Sequence, residues 1–251
     1  MIPNLTIGDL MIDCANTERA RDFYANLMGW EKTTAFDRPA LKTDNGMTIL
    51  FAETDIPYVP PVWPEEPGKQ QKQMHLDIGI EADDLPSAVD RAIRLGATKA
   101  AVQYGGEHNF ITMLDTEGHP FCLGKSSPPD ISINIDCQKQ KILREFYAQL
   151  TGWDQDFHWA VLVADNGMIV CFQGCDEDAT MDEYLPPVWP EESGKQQKQM
   201  QFIYPVDDLQ SSVEEAISLG AIKPDKQYGG KQWVTLLDPD GHPFCLCARN
   251  K

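Results

Sequence analysis

The sequence lacks several features that would assign the protein to a class. Among its 251 residues, no apolar run approaches the length of a membrane span, and the opening MIPNLTIGDLMIDC has no basic segment before an apolar one. We therefore predict neither a membrane span nor a secretory signal. Because 39 Asp and Glu outnumber 21 Lys and Arg, the formal charge of −18 disfavours nucleic-acid binding. The acidity would suit a cationic ligand, but plain solubility explains it as well.

Catalytic signatures are also scarce. The seven cysteines include no CxxC pair, and their odd number and strand-like surroundings predict reduced, buried thiols and a cytoplasmic protein. We interpret Cys245 and Cys247 as packed thiols rather than a redox pair. His119 and His242 lie in GHPF segments and are interpreted as turn residues. A glycine-rich phosphate loop, a nucleophile elbow and the order of a Ser-His-Asp triad are missing.

What the sequence does contain is a duplication. Its two halves repeat the same segments in the same order, with IDCANTERARDFYANLMGW matched by IDCQKQKILREFYAQLTGW, and TMLDTEGHPFCLGK matched by TLLDPDGHPFCLCA. A short polar segment, KSSPPD, joins the halves. We therefore predict two domains, 1–126 and 127–251.

Each half contains two units of the same kind, and each unit consists of a strand, a helix and further strands. IGDLMID predicts a strand, Asn16 predicts a helix N-cap, and Gly29 predicts the end of an amphipathic helix. The second half begins with Ile131, Ile133 and Ile135 alternating with polar residues. The isoleucines should contact the helices, and the polar face should turn toward solvent or a cleft.

These motifs indicate a family. F-Y-x-x-L-x-G-W near the start of each half and L-D-x-x-G-H-P-F-C-L near its end resemble the vicinal oxygen chelate superfamily, which includes glyoxalase I, bleomycin-resistance proteins and extradiol dioxygenases. The resemblance is to its glyoxalase-like members and covers both halves. It implies an α+β fold of tandem βαβββ modules, two per half and four in all. The modules would form cupped mixed sheets with helices on the outer face and a ligand pocket inside. The two halves would then form an intrachain pseudo-dimer.

The resemblance also implies where a metal would bind. Metal-dependent members hold a divalent cation with His, Gln or Glu side chains on the first and last strands of each module. The corresponding positions here are Asp9, Phe51, His75 and Cys122, and Ser132, Phe172, Gln201 and Cys245. Since neither half keeps the ligand quartet, we expect no metal cofactor. Asp9, His75 and Cys122 are the weak alternative ligands, for Zn, Mn, Ni or Fe.

Strand alternation suggests a second way to locate a site. Asp9 and Asp13 share one strand face, and His75 and Asp77 share another. If both strands line one cup, these four residues converge with Cys122. His75, Asp77 and Asp13 are then the catalytic candidates, with an aspartate as general base. The alternative is a structural histidine beside hydrogen-bonded or solvated carboxylates.

One stretch is nearly identical in the two halves, PPVWPEEPGKQQKQM (60–74) and PPVWPEESGKQQKQM (186–200). It links the two modules of each half and is long enough to be a binding loop. The helices have diverged between the halves, so recent copying does not explain its identity. We predict either a pocket rim or a structural crossover whose tryptophan plugs each domain. The predicted pocket residues are Met11, Trp63, Tyr104, Cys122, Ser132, Asn134, Trp189, Gln201, Tyr228 and Cys245.

Two functions follow from this reading. The first is a glyoxalase-like protein that has lost the metal quartet and sequesters or recognises a small molecule, as the drug-resistance members do. The second is a metal-dependent lyase, isomerase or dioxygenase with an altered site centred on His75. The expected partner is a small-molecule ligand, without nucleic acid or membrane, and a homodimer stays open.

Overall fold

The computed structural model describes residues 2, 5, 8–81, 83–103, 110–126, 131–156, 161–175 and 184–249. Tyr104, which the sequence places in the pocket, lies outside these residues. The first module contains β1 (Asp9–Asp13), α1 (Thr17–Met28), β2 (Glu31–Ala35), β3 (Arg38–Lys42) and β4 (Thr48–Ala52). The second contains β5 (Met74–Ile80), α2 (Leu85–Arg94), β6 (Thr98–Lys99), β7 (Phe110–Leu114) and β8 (Pro120–Lys125).

The second half repeats this order. The third module contains β9 (Ile131–Lys139), α3 (Gln140–Thr151), β10 (Asp154–Asp156), β11 (Val161–Val163) and β12 (Ile169–Cys175). The fourth contains β13 (Met200–Val206), α4 (Leu209–Ser218), β14 (Trp233–Leu237) and β15 (Pro243–Ala248). A single bridge between Ile222 and Leu237 replaces one strand of the fourth module. The prediction of an α+β fold with tandem modules is confirmed.

Local sequence explains the helix boundaries. The Asn16 side chain accepts a hydrogen bond from the Arg19 backbone N–H at 2.9 Å, which satisfies a free donor at the start of α1. Gly29 ends the helix in the left-handed region at φ 78°, where a side chain would be strained. Gly152 ends α3 in the same way, at φ 76°.

The two sheets combine modules from different halves. Sheet A has the order β14-β15-β13-β1-β4-β3-β2, and sheet B has the order β10-β11-β12-β9-β5-β8-β7-β6. Sheet A therefore joins the first module to the fourth, with Met11 opposite Gln201. Sheet B joins the second to the third, with His75 opposite Asn134. Each sheet contains strands of both halves, so the halves form an intrachain pseudo-dimer.

The helices and the apolar faces of both sheets share one hydrophobic core. Ile131, Ile133 and Ile135 belong to it, as the alternation predicted. In each half, one buried hydrogen bond connects the two family motifs. The Tyr24 hydroxyl donates to Asp115 at 2.8 Å, and Tyr147 repeats this bond with Asp238 at 2.9 Å in the second half. The aromatic pair of the first motif and the aspartate of the second are thus one structural unit.

The repeated stretch forms much of the contact between the halves. We call residues 70–73 and 196–199 the glutamine seam. The Gln71 backbone N–H donates to Gln196 Oε1 at 2.8 Å, and the Gln197 N–H donates to Gln70 Oε1 at 2.7 Å. The two copies of one sequence therefore satisfy each other's backbone groups across a pseudo-two-fold axis.

The seam also binds the chain that precedes it. Gln197 Oε1 accepts from the Val59 N–H at 2.8 Å, and Gln71 Oε1 accepts from the equivalent Leu185 N–H at 2.7 Å. Gln199 is fully buried, and Lys72 is 5% exposed. These polar side chains are buried because each copy of the repeated stretch covers the other.

No helix of the described residues is long and apolar enough to cross a bilayer.

Candidate functional site

Each sheet carries a cup on the face opposite the helices. Cup A, on sheet A, is lined by Met11, Leu50, Gln201, Ile203 and Cys245 and by side chains at its mouth. Cup B, on sheet B, is lined by His75, Asp77, Cys122, Thr112 and Gln173, with a cavity of about 260 Å³. Because each sheet spans both halves, each cup is built from both halves.

This pairing overturns the predicted convergence of five residues. Asp9 and Asp13 lie on β1 in sheet A, whereas His75 and Asp77 lie on β5 in sheet B. Cys122, on β8, pairs with Asp77. The predicted metal trio of Asp9, His75 and Cys122 is therefore not assembled, and Asp13 cannot act with His75. The predicted convergence was conditional on both strands lining one cup, and that condition is not met because each module pairs with a module of the other half.

A polar chain runs through the floor of cup B. The Lys72 ammonium donates to Asp136, and its Nζ lies 3.2 Å from His75 Nδ1. His75 Nε2 lies 3.3 Å from Asp77 Oδ1. A protonated lysine has donors only, so Nδ1 must present its lone pair to Lys72. The imidazole proton therefore resides on Nε2 and points toward Asp77.

The carboxylate and the thiol of cup B differ in charge. Burial would raise the pKa of Asp77, but the hydrogen bond and charge of His75, with smaller contributions from Cys122 and Asn134, hold that pKa below its ordinary value. Burial, reinforced by the Asp77 charge, raises the pKa of Cys122 to about 12. Cup B thus presents a carboxylate and a protonated thiol near pH 7.

The divalent cation that the family implies can be tested against this donor set. His75, Asp77 and Cys122 offer donor atoms within 4.8 Å of one another. A metal needs the imidazole lone pair and the thiolate. Here the free lone pair of His75 faces Lys72, and Nε2 carries the proton. The residues of cup B do not fit the cation in this arrangement, so we derive no chemistry through it.

Cup A has a different chemistry. Ala40, Leu50, Ile203, Cys245 and Cys247 form a separate apolar cluster on its floor. The floor offers one amide, Gln201, whose Nε2 donates to Cys245 Sγ at 3.5 Å. A histidine is missing from the described residues that line this cup. Among the described residues, the floor of cup A therefore presents an amide and two thiols on an apolar surface.

Most predicted pocket residues line one cup or the other. Met11, Trp189, Gln201, Tyr228 and Cys245 line cup A, and Trp63, Cys122 and Ser132 line cup B. Asn134 lies beneath cup B, where Oδ1 accepts from Gln173 at 2.9 Å. Phe51 and Phe172, mapped as last-strand positions, pack in the core instead. The strand alternation turns their neighbours Leu50 and Gln173 into the cups.

The sequence left two roles open for the tryptophans of the repeated stretch, a pocket rim and a structural plug, and their positions have features of both. Trp63 lines cup B, and its indole N–H donates to the Val102 carbonyl at 3.1 Å. Trp189 lines cup A, and its N–H donates to the Lys226 carbonyl at 3.1 Å. Each ring is a wall of its cup, anchored at one edge. Both tryptophans precede a cis proline.

Several lining residues escaped sequence reasoning. Phe36 and Arg38 flank the β2–β3 turn at the mouth of cup A, where Phe36 contacts Trp233 edge to face at 6.5 Å. Phe36 has φ 51° and Asp37 has φ 56°, values that favour glycine or asparagine. Phenylalanine is unusual at such a position, so sequence reasoning did not predict a turn here. Glu191 also lines cup A. It belongs to the repeated stretch, whose near-identity in the two halves was the sequence signal that could have identified it.

Comparisons with known proteins agree with this geometry. Paired βαβββ modules around cups define the vicinal oxygen chelate fold. The family profile described as "Glyoxalase-like domain" matches residues 9–124 and 132–247. The chain therefore belongs to the glyoxalase-like domain family, within the vicinal oxygen chelate superfamily, and carries two copies of the domain. None of the curated proteins matches the sequence.

Solved structures show the same fold at low identity. Glyoxalase I from Zea mays is 13% identical, with a TM-score of 0.57, 98% of this chain covered and 92% of that chain. A putative dioxygenase from Bacillus subtilis is 10% identical, with a TM-score of 0.57 and coverages of 98% and 86%. At such identities the likeness establishes the fold alone.

Proposed function

We propose that this protein is a cytoplasmic, metal-free member of the family that binds and sequesters a small organic molecule in its cups. We place the boundary of its two domains at residues 126 and 127. The observation that supports this function best is the position of the His75 ring between two side chains. Lys72 Nζ lies 3.2 Å from Nδ1 and Asp77 Oδ1 lies 3.3 Å from Nε2, so both ring nitrogens already face a protein group.

Metal analysis of the purified protein tests the proposal. Protein prepared without chelator or added metal should contain substoichiometric Zn, Mn, Ni and Fe. In a thermal-shift screen of small carboxylates, amines and thiols, compounds of one class should raise the melting temperature of the protein. Stoichiometric metal that is lost in His75→Ala would overturn it.

The tryptophans can report which cup is occupied. Trp63 lines cup B, whereas Trp189 and Trp233 line cup A. The fluorescence change on ligand binding should therefore disappear either in Trp63→Phe or in the double variant Trp189→Phe with Trp233→Phe, and not in both. Equal retention in both variants would place the ligand outside the cups.

A second function is favoured by one observation, the proximity of the His75, Asp77 and Cys122 donor atoms within 4.8 Å. It is a metal-dependent lyase, isomerase or dioxygenase activity at cup B. Under this function His75→Ala abolishes turnover while the fold persists. Turnover that is unchanged in His75→Ala, or that requires no metal, would count against it.

A further inference from the structure

Cup A contains hydrogen-bond acceptors that no described residue satisfies. Oδ1 of Asp13 and Oε1 of Gln201 are both buried without a hydrogen-bond partner among the described residues. Asp13 is 1% exposed and Gln201 is 3% exposed, and both line the cup. Leaving such groups unpaired is costly, so they indicate a missing donor.

The charges around these acceptors have one predominant sign. Asp13, Glu53, Asp55 and Glu191 line the same cavity of about 160 Å³, with Arg38 and Lys198 as the cations. Lys198 is already occupied, because it donates to Asp13. Glu191 Oε1 is a third buried acceptor without a partner among the described residues. The mouth of cup A therefore favours a positive charge.

The walls suit an organic cation. Trp189 and Tyr228 meet edge to face at 5.3 Å, and Trp233 contacts Phe36 across the mouth. Aromatic faces attract cations, and Lys226 Nζ already lies 5.3 Å from the Tyr228 ring centroid. Beyond the carboxylates, an apolar cavity of about 140 Å³ continues along Met11 and Leu50 and can hold a hydrocarbon group.

Resting on the proposed function, we propose that cup A binds an amphiphilic organic cation with N–H donors. Its ammonium or guanidinium group lies between Asp13, Gln201 and Glu191, and its apolar body enters the cavity beside Met11. Among the described residues that line cup B, one acceptor of this kind is present, Asp77 Oδ1, compared with three in cup A. The floor of cup B also presents the Lys72 ammonium, between Asp136 and His75.

Titration calorimetry with matched probes tests this assignment. Hexylammonium and hexylguanidinium should bind, and hexan-1-ol and hexanoate, their neutral and anionic counterparts, should bind about tenfold more weakly or not at all, because hydrogen bonds to charged groups are the stronger ones. Glu191→Gln should weaken hexylammonium about tenfold, and Arg38→Gln should strengthen it severalfold. Glu192→Gln, an exposed neighbour outside the cup, is the matched control and should change little.

The outcomes separate the two proposals. Equal affinity for all four probes, or equal effects of Glu191→Gln and Glu192→Gln, would overturn the cationic assignment and leave small-molecule binding intact. Absence of binding by every probe would also overturn it. If the protein in addition contains stoichiometric metal that depends on His75, the proposed function fails as well.

Discussion

The ammonium of Lys72, in the first half, donates to the carboxylate of Asp136, in the second half, inside the protein. Lys198 and Asp13 form the same pair in the opposite direction. Both lysines belong to the glutamine seam, and both aspartates lie on the first strand of a half. The repeated stretch therefore holds the two halves together through charge as well as through amide hydrogen bonds.

The first prediction concerns these ion pairs. Lys72→Met should lower the free energy of unfolding by about 3 to 5 kcal/mol, because it leaves the buried Asp136 without its cation. Lys69→Met, an exposed lysine three residues earlier, should change it by about 0.5 kcal/mol or less. Urea denaturation of the two variants provides the comparison. Equal stability would show that the buried pair makes no net contribution.

The second prediction concerns metal. In Lys72→Met with Asp136→Asn, His75 Nδ1 no longer faces a cation, so the tautomer with a free Nε2 lone pair becomes accessible beside Asp77. Zinc affinity, measured by competition with a chromogenic chelator, should rise at least about tenfold over that of the wild type. The pseudo-symmetric variant, Lys198→Met with Asp13→Asn, alters cup A and should gain none. Wild-type protein that binds zinc as tightly as the first variant would contradict the assigned tautomer.

The third prediction uses two histidines at equivalent positions. Burial lowers the pKa of His119 to about 4, although the hydrogen bond between Nε2 and the Met74 carbonyl, at 2.9 Å, opposes this shift. Nδ1 of His119 has no hydrogen-bond partner among the described residues. Burial would also lower the pKa of His242, but Asp238, 3.1 Å from Nδ1, outweighs it and raises that pKa. The two rings should therefore affect stability with opposite dependence on pH.

The signs follow from proton linkage. The contribution of His119 is present above its unfolded pKa of about 6.5 and is lost as pH falls toward 4, by on the order of 3 kcal/mol. The contribution of His242 is present below about 6.5 and is lost as pH rises through its raised pKa. Urea denaturation of His119→Gln and His242→Gln from pH 4.5 to 8 should give stability differences from wild type that change in opposite directions. Parallel changes would contradict the assignment.

The fourth prediction concerns the tip of the β2–β3 hairpin. Phe36→Asn with Asp37→Gly should raise the free energy of unfolding by about 1 kcal/mol, because both positions have positive φ. The same variant should weaken binding in cup A, because the Phe36 ring contacts Trp233 at the mouth. Asp37→Gly alone relieves part of the strain, keeps the ring and should retain binding. Unchanged binding in the double variant would remove Phe36 from the site.

Local features of the fold were predictable from local sequence. Asn16 and Gly29 mark the ends of α1, and the alternating isoleucines of β9 face the core as expected. The family motifs predicted modules with helices on one face, and the profile match confirms the family. These features depend on residues close in sequence, whose capping, turn and alternation rules apply without knowledge of the tertiary structure.

The composition of each cup was not predictable in this way. Which strand lies beside β1 depends on pairing over nearly 200 residues, since Met11 lies opposite Gln201. The alternation of polar and apolar residues along each strand predicts that Asp13 and His75 lie on polar faces. It does not predict that these faces belong to different sheets. Likewise, burial of Lys72 requires the partner Asp136 from the other half. The near-identity of the repeated stretch was the sequence signal for a surface that meets its own copy.

The pairing of the first module with the fourth, and of the second with the third, also bears on the origin of the chain. A chain with one copy of the domain would form these same sheets by pairing its modules with those of a second identical chain, and its two cups would be the same. Fusing the copies removed that constraint, because a substitution now alters one cup and spares the other. The acidic, aromatic cup and the histidine cup differ in this way, so a single polypeptide presents two chemically distinct cups.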